Sequence, residues 1–315
     1  MKKEFLLVPT LLVLGLSGCV NLAPNNGTPD MPTPQQWPEG EAYSSLPAEA
    51  DLLPVWRQVF TDSKLQAVIE QALANNRDLR TAALNVEKAR ASYGVTRAAQ
   101  FPTISAAASN AAAHTAGTLT TTGEGSTAHT YNVQLVMASY ELDFFSRVKN
   151  LTEQALQSYL MTEDAQRSAQ SSVIAQTVMA WYQLGADREQ LALQRSILKS
   201  QEESFRLIEE SYKLARRLEL EQARTTLEAA KATIVSYVRA VAQDKNALDL
   251  LCGSTVDESV LPQALPQKAM SNTVPVGLPG EVLLRRPDIM SAERSLRSAD
   301  ANIGVARAAF FPRVT

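Results

Sequence analysis

Seventy consecutive residues, Phe144 to Lys213, contain one glycine (Gly185) and no proline. A stretch of that composition reads as a single helix, and at 1.5 Å per residue it would run roughly 105 Å. A rod of that length cannot be wrapped by a core built from the rest of this chain, so it must pack against other rods. Arg217–Cys252 follows as a second helix, again without internal glycine or proline. Apolar positions in both are sparse and mostly small, at three- and four-residue spacing, with Gln and Ser between them. That pattern suits a helix half in contact with water, as in the wall of a water-filled tube; a long coiled coil is the plainer alternative.

The second constraint is an internal repeat. Arg77–Ile104 aligns with Pro287–Val314 at an offset of 210 residues, with eleven identities in 28 positions. These include Asp78 and Asp288, Gly94-Val95 and Gly304-Val305, Arg97-Ala98-Ala99 and Arg307-Ala308-Ala309, and Phe101-Pro102 and Phe311-Pro312. Each copy reads as a helix stopped by a proline just past its last turn. Residues 63–74 form a shorter helix before the first copy, with Asn75-Asn76-Arg77 as the break and Asp78–Ala99 as the longer helix after it.

Between Phe101-Pro102 and the long helix lie two extended segments. Thr103–Ser109 reads as a strand of small residues, and Thr130–Glu141 as a strand with period-two alternation. Tyr131, Val133, Leu135 and Met137 share one face, with Asn132 and Gln134 on the other. An apolar face opposite a polar one suits a transmembrane β-barrel strand, lipid outside and a wet lumen inside; a half-buried soluble strand is the alternative. His114 to His129 is rich in Thr, Gly and Ser and reads as a loop; its two histidines read as solvated loop residues, with a metal pair as the alternative.

The amino terminus is an address. Lys2 and Lys3 precede an apolar run, Phe5–Leu16, that is too short to span a bilayer and fits the core of a secretory signal. Leu16-Ser17-Gly18-Cys19 then resembles the bacterial lipobox, which makes Cys19 the lipidated first residue of the mature chain. Val20 stands where an aspartate would signal retention in the inner membrane, and so points to the outer one. Prolines 24, 29, 32, 34, 38, 47 and 54 make the following stretch an extended tether.

Composition excludes much else. Lys and Arg total 30 against 33 Asp and Glu, so there is no basic surplus for nucleic acid. Two His and two Cys nearly rule out a zinc site, a disulfide framework and most His-based catalysis. Cys252, at a helix end, reads as a buried structural thiol. Gly123-Glu124-Gly125 lacks the strand–turn–helix setting of a phosphate loop, and Glu163-Asp164 and Glu209-Glu210 read as wet helix faces. No nucleophile–base constellation is present, so no catalytic, cofactor or metal residue is assigned and the chain is not read as an enzyme.

Several segments carry a family resemblance. Asn75-Asn76-Arg77-Asp78-Leu79-Arg80, Ala98-Ala99-Gln100-Phe101-Pro102 with its copy Ala308-Ala309-Phe310-Phe311-Pro312, Tyr140-Glu141-Leu142-Asp143-Phe144-Phe145, Gln243–Leu248 and Leu284–Ile289 resemble the outer-membrane factors of tripartite, RND-type efflux pumps. These form the TolC superfamily, and Cys19 fits its lipoprotein branch, which includes OprM and NodT-like proteins. The resemblance implies a mainly α fold with a few β-strands: TolC-like long periplasmic helical hairpins plus outer-membrane barrel strands. It implies a homotrimer in the outer-membrane lipid, partnered by a periplasmic adaptor (membrane fusion protein) and an inner-membrane pump, for passive exit of drugs or other small molecules. The expected organisation is a signal peptide over 1–18, a lipidated tether over 19–55, a first structural repeat over 56–265 (strand pair 103–141, long helices 144–252), and the start of a second over 266–315.

Two departures from the family pattern stand out. The second copy stops three residues past Phe311-Pro312, without a second strand pair or long arm. Two strands per chain give about six in a trimer, fewer than the eight or more of single-chain barrels, and open edges are not tolerated in lipid. The expectation is that this polypeptide alone does not close the family's pore. The alternatives are a truncated, non-conducting, lipid-anchored helical envelope protein and an exit duct for type I secretion. The second departure is the turn between the long helices, where the family usually has a glycine. Here Lys213, Leu214, Ala215, Arg216, Arg217 and Leu218 are the candidate adaptor-docking tip, and four of them, Leu214 to Arg217, are good helix formers.

Overall fold

The computed structural model describes residues 20–27, 55–119, 121, 123–137, 140–212, 217–266 and 280–315. Its helices are α1 (Trp56–Val59), α2 (Ser63–Asn75), α3 (Arg77–Ala98), α4 (Arg147–Tyr212), α5 (Arg217–Cys252) and α6 (Pro287–Ala308). Its strands are β1 (Ile104–Thr115) and β2 (Ser126–Met137). The chain divides into two compact units. One takes its described residues from Met1–Pro29, Glu87–Thr162 and Ser291–Thr315; the other takes them from Asp30–Val86 and Glu163–Met290. Among the described residues no helix is long and apolar enough to cross a membrane.

The second unit holds the main core. On α2 the residues Leu65, Val68, Ile69 and Ala72, spaced i, i+3, i+4, i+7, are fully buried. They meet Val173, Val178, Trp181 and Leu184 of α4, Leu248 and Cys252 of α5, and Val256 and Leu261 beyond it. The Trp181 indole N–H donates to the Val260 carbonyl at 3.2 Å, which satisfies the one polar atom that this ring brings into the core. Gly185, the single glycine of the long helix, sits where that returning segment passes: a Cβ there would lie 3.1 Å from the Ala264 carbonyl oxygen. Cys252 is buried, and burial pushes its thiol up to about 11, so it is an inert packing group.

Helix boundaries follow from side-chain caps. Asp62 opens α2 by accepting from the Lys64 and Leu65 amides at 2.8 and 3.1 Å. Asn76 makes the break between α2 and α3. Its backbone N–H closes α2 on Ala72, its Oδ1 accepts from Asp78 and Leu79 to open α3, and its Nδ2 donates to the Leu251 carbonyl at 2.7 Å.

In the first unit α6 lies against the start of α4. Phe145 and Phe311 stack with centroids 4.2 Å apart, and Leu142 pairs with Val314 in an isolated antiparallel bridge. Residues 20–27, read from sequence as part of an extended tether, are seated on the same surface. The Val20 amide donates to Phe144, Asn150 donates to Asn21, Arg307 donates to the Leu22 carbonyl, and Asn26 donates to Asp300.

The long helix starts at Arg147 and not at Phe144. A turn over 144–146 intervenes, with Ser146 at φ 55°, and the Asp143 carboxylate accepts from the Lys149 amide at 2.8 Å as the cap. The strands also differ from the sequence reading. The first runs on to Thr115, and the second covers Ser126–Met137. His114 and His129 therefore stand on strands and not in a loop. The Ala, Ser, Asn and Thr residues near the turn carry no hydrophobic period, so side-chain pattern could not mark how far the backbone ladder extends.

Candidate functional site: a two-faced hairpin, its junction and the helical arm

β1 and β2 pair antiparallel through twelve rungs, from Ile104↔Met137 to Thr115↔Ser126. Every residue of both strands is exposed. Because side chains alternate, the rungs sort into two faces. One carries Met137, Leu135, Val133 and Tyr131 opposite Ile104, Ala106, Ala108 and Asn110. The other carries Gln134, Asn132 and Thr130 opposite Ala107, Ser109 and Ala111, with Val136 as its one large apolar residue. Val133 and Leu135 are 82% and 80% exposed, an unusual state for large aliphatic side chains in water.

The junction from β2 to α4 is held by charge. Arg147 grips both oxygens of the Glu141 carboxylate, with Nε donating to Oε1 at 2.8 Å and Nη2 to Oε2. Both side chains are about four-fifths buried. The guanidinium hydrogen bond holds the Glu141 carboxyl below the ordinary carboxylate range, against the opposing effect of burial. The Tyr140 hydroxyl donates to the Gln100 carbonyl at 3.1 Å, which ties the foot of the hairpin to the end of α3. Sequence reasoning placed a strand-to-helix junction at Tyr140–Phe145 but missed this pair. The only trace of it in the sequence is an acid and a base six residues apart across a turn.

The helical arm carries a second electrostatic feature. Asp187 on α4 and Asp244 on α5 act on one another, and Asp244 Oδ2 is shielded from solvent without a hydrogen-bond partner. Burial first, then the hydrogen bond and charge of Asp187, push the Asp244 carboxyl up to about 6. Toward the far end of the arm, Phe205 and Ile208 of α4 and Gln222, Ala223 and Thr226 of α5 line an open groove. Of the sequence-derived tip, Arg217 and Leu218 open α5 and are exposed; Lys213, Leu214, Ala215 and Arg216 lie outside the described residues, as does Cys19.

Comparison with known proteins agrees with this geometry. Residues 68–254 match the family described as Outer membrane efflux protein. The chain is 42% identical over 315 residues to the probable efflux pump outer membrane protein TtgC of Pseudomonas putida, covering 98% of this chain and 64% of that protein. It is 38% identical to the cation efflux system protein CusC of Escherichia coli, covering 98% of this chain and 66% of that protein. Among solved structures, a membrane protein from Pseudomonas aeruginosa superposes with a TM-score of 0.76 at 35% identity, over 93% of this chain and 66% of that one. The open state of the Neisseria gonorrhoeae MtrE outer membrane channel gives 0.75 at 33% identity, over 93% and 64%. The chain thus spans about two-thirds of the length of the relatives it matches. With its long helical arm, its two-faced strand pair and these matches, the chain belongs to the outer membrane efflux protein family of TolC-like channels.

Proposed function

We propose that this chain is a channel subunit of an outer-membrane exit duct, through which a tripartite pump discharges small molecules passively. The observation that carries this reading is the β1–β2 hairpin. It is exposed on both faces, apolar on one and polar on the other, which is the surface of a strand pair that meets lipid on one side and water on the other. The reading includes a homotrimer, a periplasmic adaptor and an inner-membrane pump as partners. Cys19 is its lipid anchor, and Lys213, Leu214, Ala215, Arg216, Arg217 and Leu218 its docking tip. The repeated helix with its Phe-Pro stop supports 56–265 as a first structural repeat and 266–315 as the start of a second, after a signal peptide over 1–18 and a tether over 19–55.

The experiment is disruption and complementation of the gene in its own host, with accumulation of a fluorescent efflux dye and fractionation of the envelope as readouts. Disruption is expected to raise dye accumulation, complementation to reverse it, and the protein to fractionate with the outer membrane. Unchanged accumulation together with a soluble periplasmic protein would overturn the reading. A Cys19→Ser variant that still incorporates labelled fatty acid would remove the anchor from it. Arg216→Glu with Arg217→Glu is expected to lower cross-linking to the adaptor, and unchanged cross-linking would remove the tip.

A further inference from the structure

The chain contains two histidines. The fold places both on one face of one hairpin, two rungs apart. His129 stands opposite Ala112 and His114 opposite Thr127, so His114 and His129 are diagonal neighbours on the face that also carries Tyr131. Diagonal partners across an antiparallel pair have Cβ atoms about 7 Å apart, within reach of long side chains. Imidazole nitrogens projecting from such positions can converge on one ion at about 2.0–2.1 Å. Both residues are exposed in the hairpin, at its turn end and past the large apolar residues Tyr131 to Met137 that share their face.

The surroundings narrow the chemistry. His114 Nδ1 is 2.9 Å from the Thr127 hydroxyl. With Nδ1–H as the donor, Nε2 keeps its lone pair for a ligand, the arrangement that orients metal-bound imidazoles elsewhere. His129 stands parallel to the Tyr131 ring, centroids 6.4 Å apart. Among the described residues no three His, Cys, Asp or Glu groups gather to hold an ion, so water would complete the coordination. Imidazole ligands without a carboxylate favour late first-row divalent ions over Mg2+ or Ca2+.

We propose that His114 and His129 form a two-imidazole site for Cu2+, Ni2+ or Zn2+, with Thr127 as a positioning residue that orients the His114 ring. The site needs only the hairpin; in the exit-duct reading it stands on the lipid-side face, at the turn end beyond Tyr131.

The test uses the full chain, purified in detergent without a polyhistidine tag and titrated with Cu2+ under electron paramagnetic resonance. Because there are no other histidines, any imidazole signal comes from these two. One Cu2+ per chain with two coordinated imidazole nitrogens is expected. His114→Ala and His129→Ala are each expected to weaken binding at least tenfold and leave one imidazole nitrogen in the spectrum. Thr127→Val, which keeps both ligands, is expected to weaken binding about tenfold while the two-nitrogen signature persists. Circular dichroism and tryptophan fluorescence, to which the buried Trp181 contributes, verify that each variant keeps its helical core. The proposal is overturned by a single-imidazole spectrum in the unaltered chain, by affinity unchanged in both alanine variants, or by no binding at all.

Discussion

Arg147 holds Glu141 through two hydrogen bonds across the turn that separates β2 from α4. The ion pair sits at the point where extended backbone becomes a 66-residue helix. Removing either partner leaves the other partly buried and uncompensated. Glu141→Ala is therefore expected to lower stability by about 2 kcal/mol, measured by thermal unfolding in detergent. The Glu141 carboxyl is lowered by its guanidinium partner, so its contribution is present above the ordinary carboxylate range and is lost as pH falls through the depressed value. Glu141→Gln is expected to flatten that acid limb, and an unchanged limb would show that the clamp adds nothing.

The repeat offers an internal control on packing. Gly304 of α6 is buried, and a Cβ there would lie 2.5 Å from Asn150 Nδ2 and 2.9 Å from Ala23. Its counterpart Gly94 in α3 has nothing within 4 Å. Gly304→Ala is expected to cost about 1–3 kcal/mol through overpacking. Gly94→Ala is expected to be neutral or to gain up to about 1 kcal/mol, because alanine loses less backbone entropy in a helix. Equal losses at both positions would mean that Gly94 is also covered in the folded assembly.

Asp244 sets a pH dependence of opposite sign to that of Glu141. Its carboxyl is pushed up to about 6, above its unfolded value of about 3.9, so the native state binds more protons than the unfolded chain between those values. Its neutral form contributes stability that is fully present below pH 4 and is lost as pH rises through 6. Asp244→Asn is expected to raise stability at pH 7 by on the order of 1 kcal/mol and to remove that slope, as read from denaturant midpoints across pH 4–8.

Asn76 separates two roles that one substitution can tell apart. Asn76→Asp keeps the oxygen that caps α3 and loses the donor to the Leu251 carbonyl, whereas Asn76→Ala loses both. The alanine variant is expected to cost about 1–2 kcal/mol more than a cap alone, and the aspartate variant less than the alanine. Unfolding followed by tryptophan fluorescence, to which the buried Trp181 contributes, measures both.

Much of the helical architecture was legible because its signals are local. The absence of glycine and proline marked α5 at Arg217–Cys252 to the residue, and Asn75-Asn76-Arg77 located the α2–α3 break within one residue. The alternation of Tyr131, Val133, Leu135 and Met137 assigned the strand face correctly. The illegible parts depend on partners distant in sequence. Residues 20–27 are bound by side-chain amides and backbone groups, which leave no periodic trace in a proline-rich stretch. The hairpin extends to His114 and His129 because backbone groups pair there, while the side chains change from apolar to small and polar. The Asp187–Asp244 pair joins two helices 57 positions apart, and isolated acids on wet helix faces do not announce a neighbour.

The exposed hairpin also has a consequence in time. A chain destined for the outer membrane crosses the aqueous periplasm before it meets lipid. During that passage Val133, Leu135 and Met137 face water beside strand edges with unpaired backbone groups, the combination that templates aggregation. In the exit-duct reading, the surface that meets lipid is thus a hazard in transit. The longer that surface stays unassembled, the more of the chain is open to that loss.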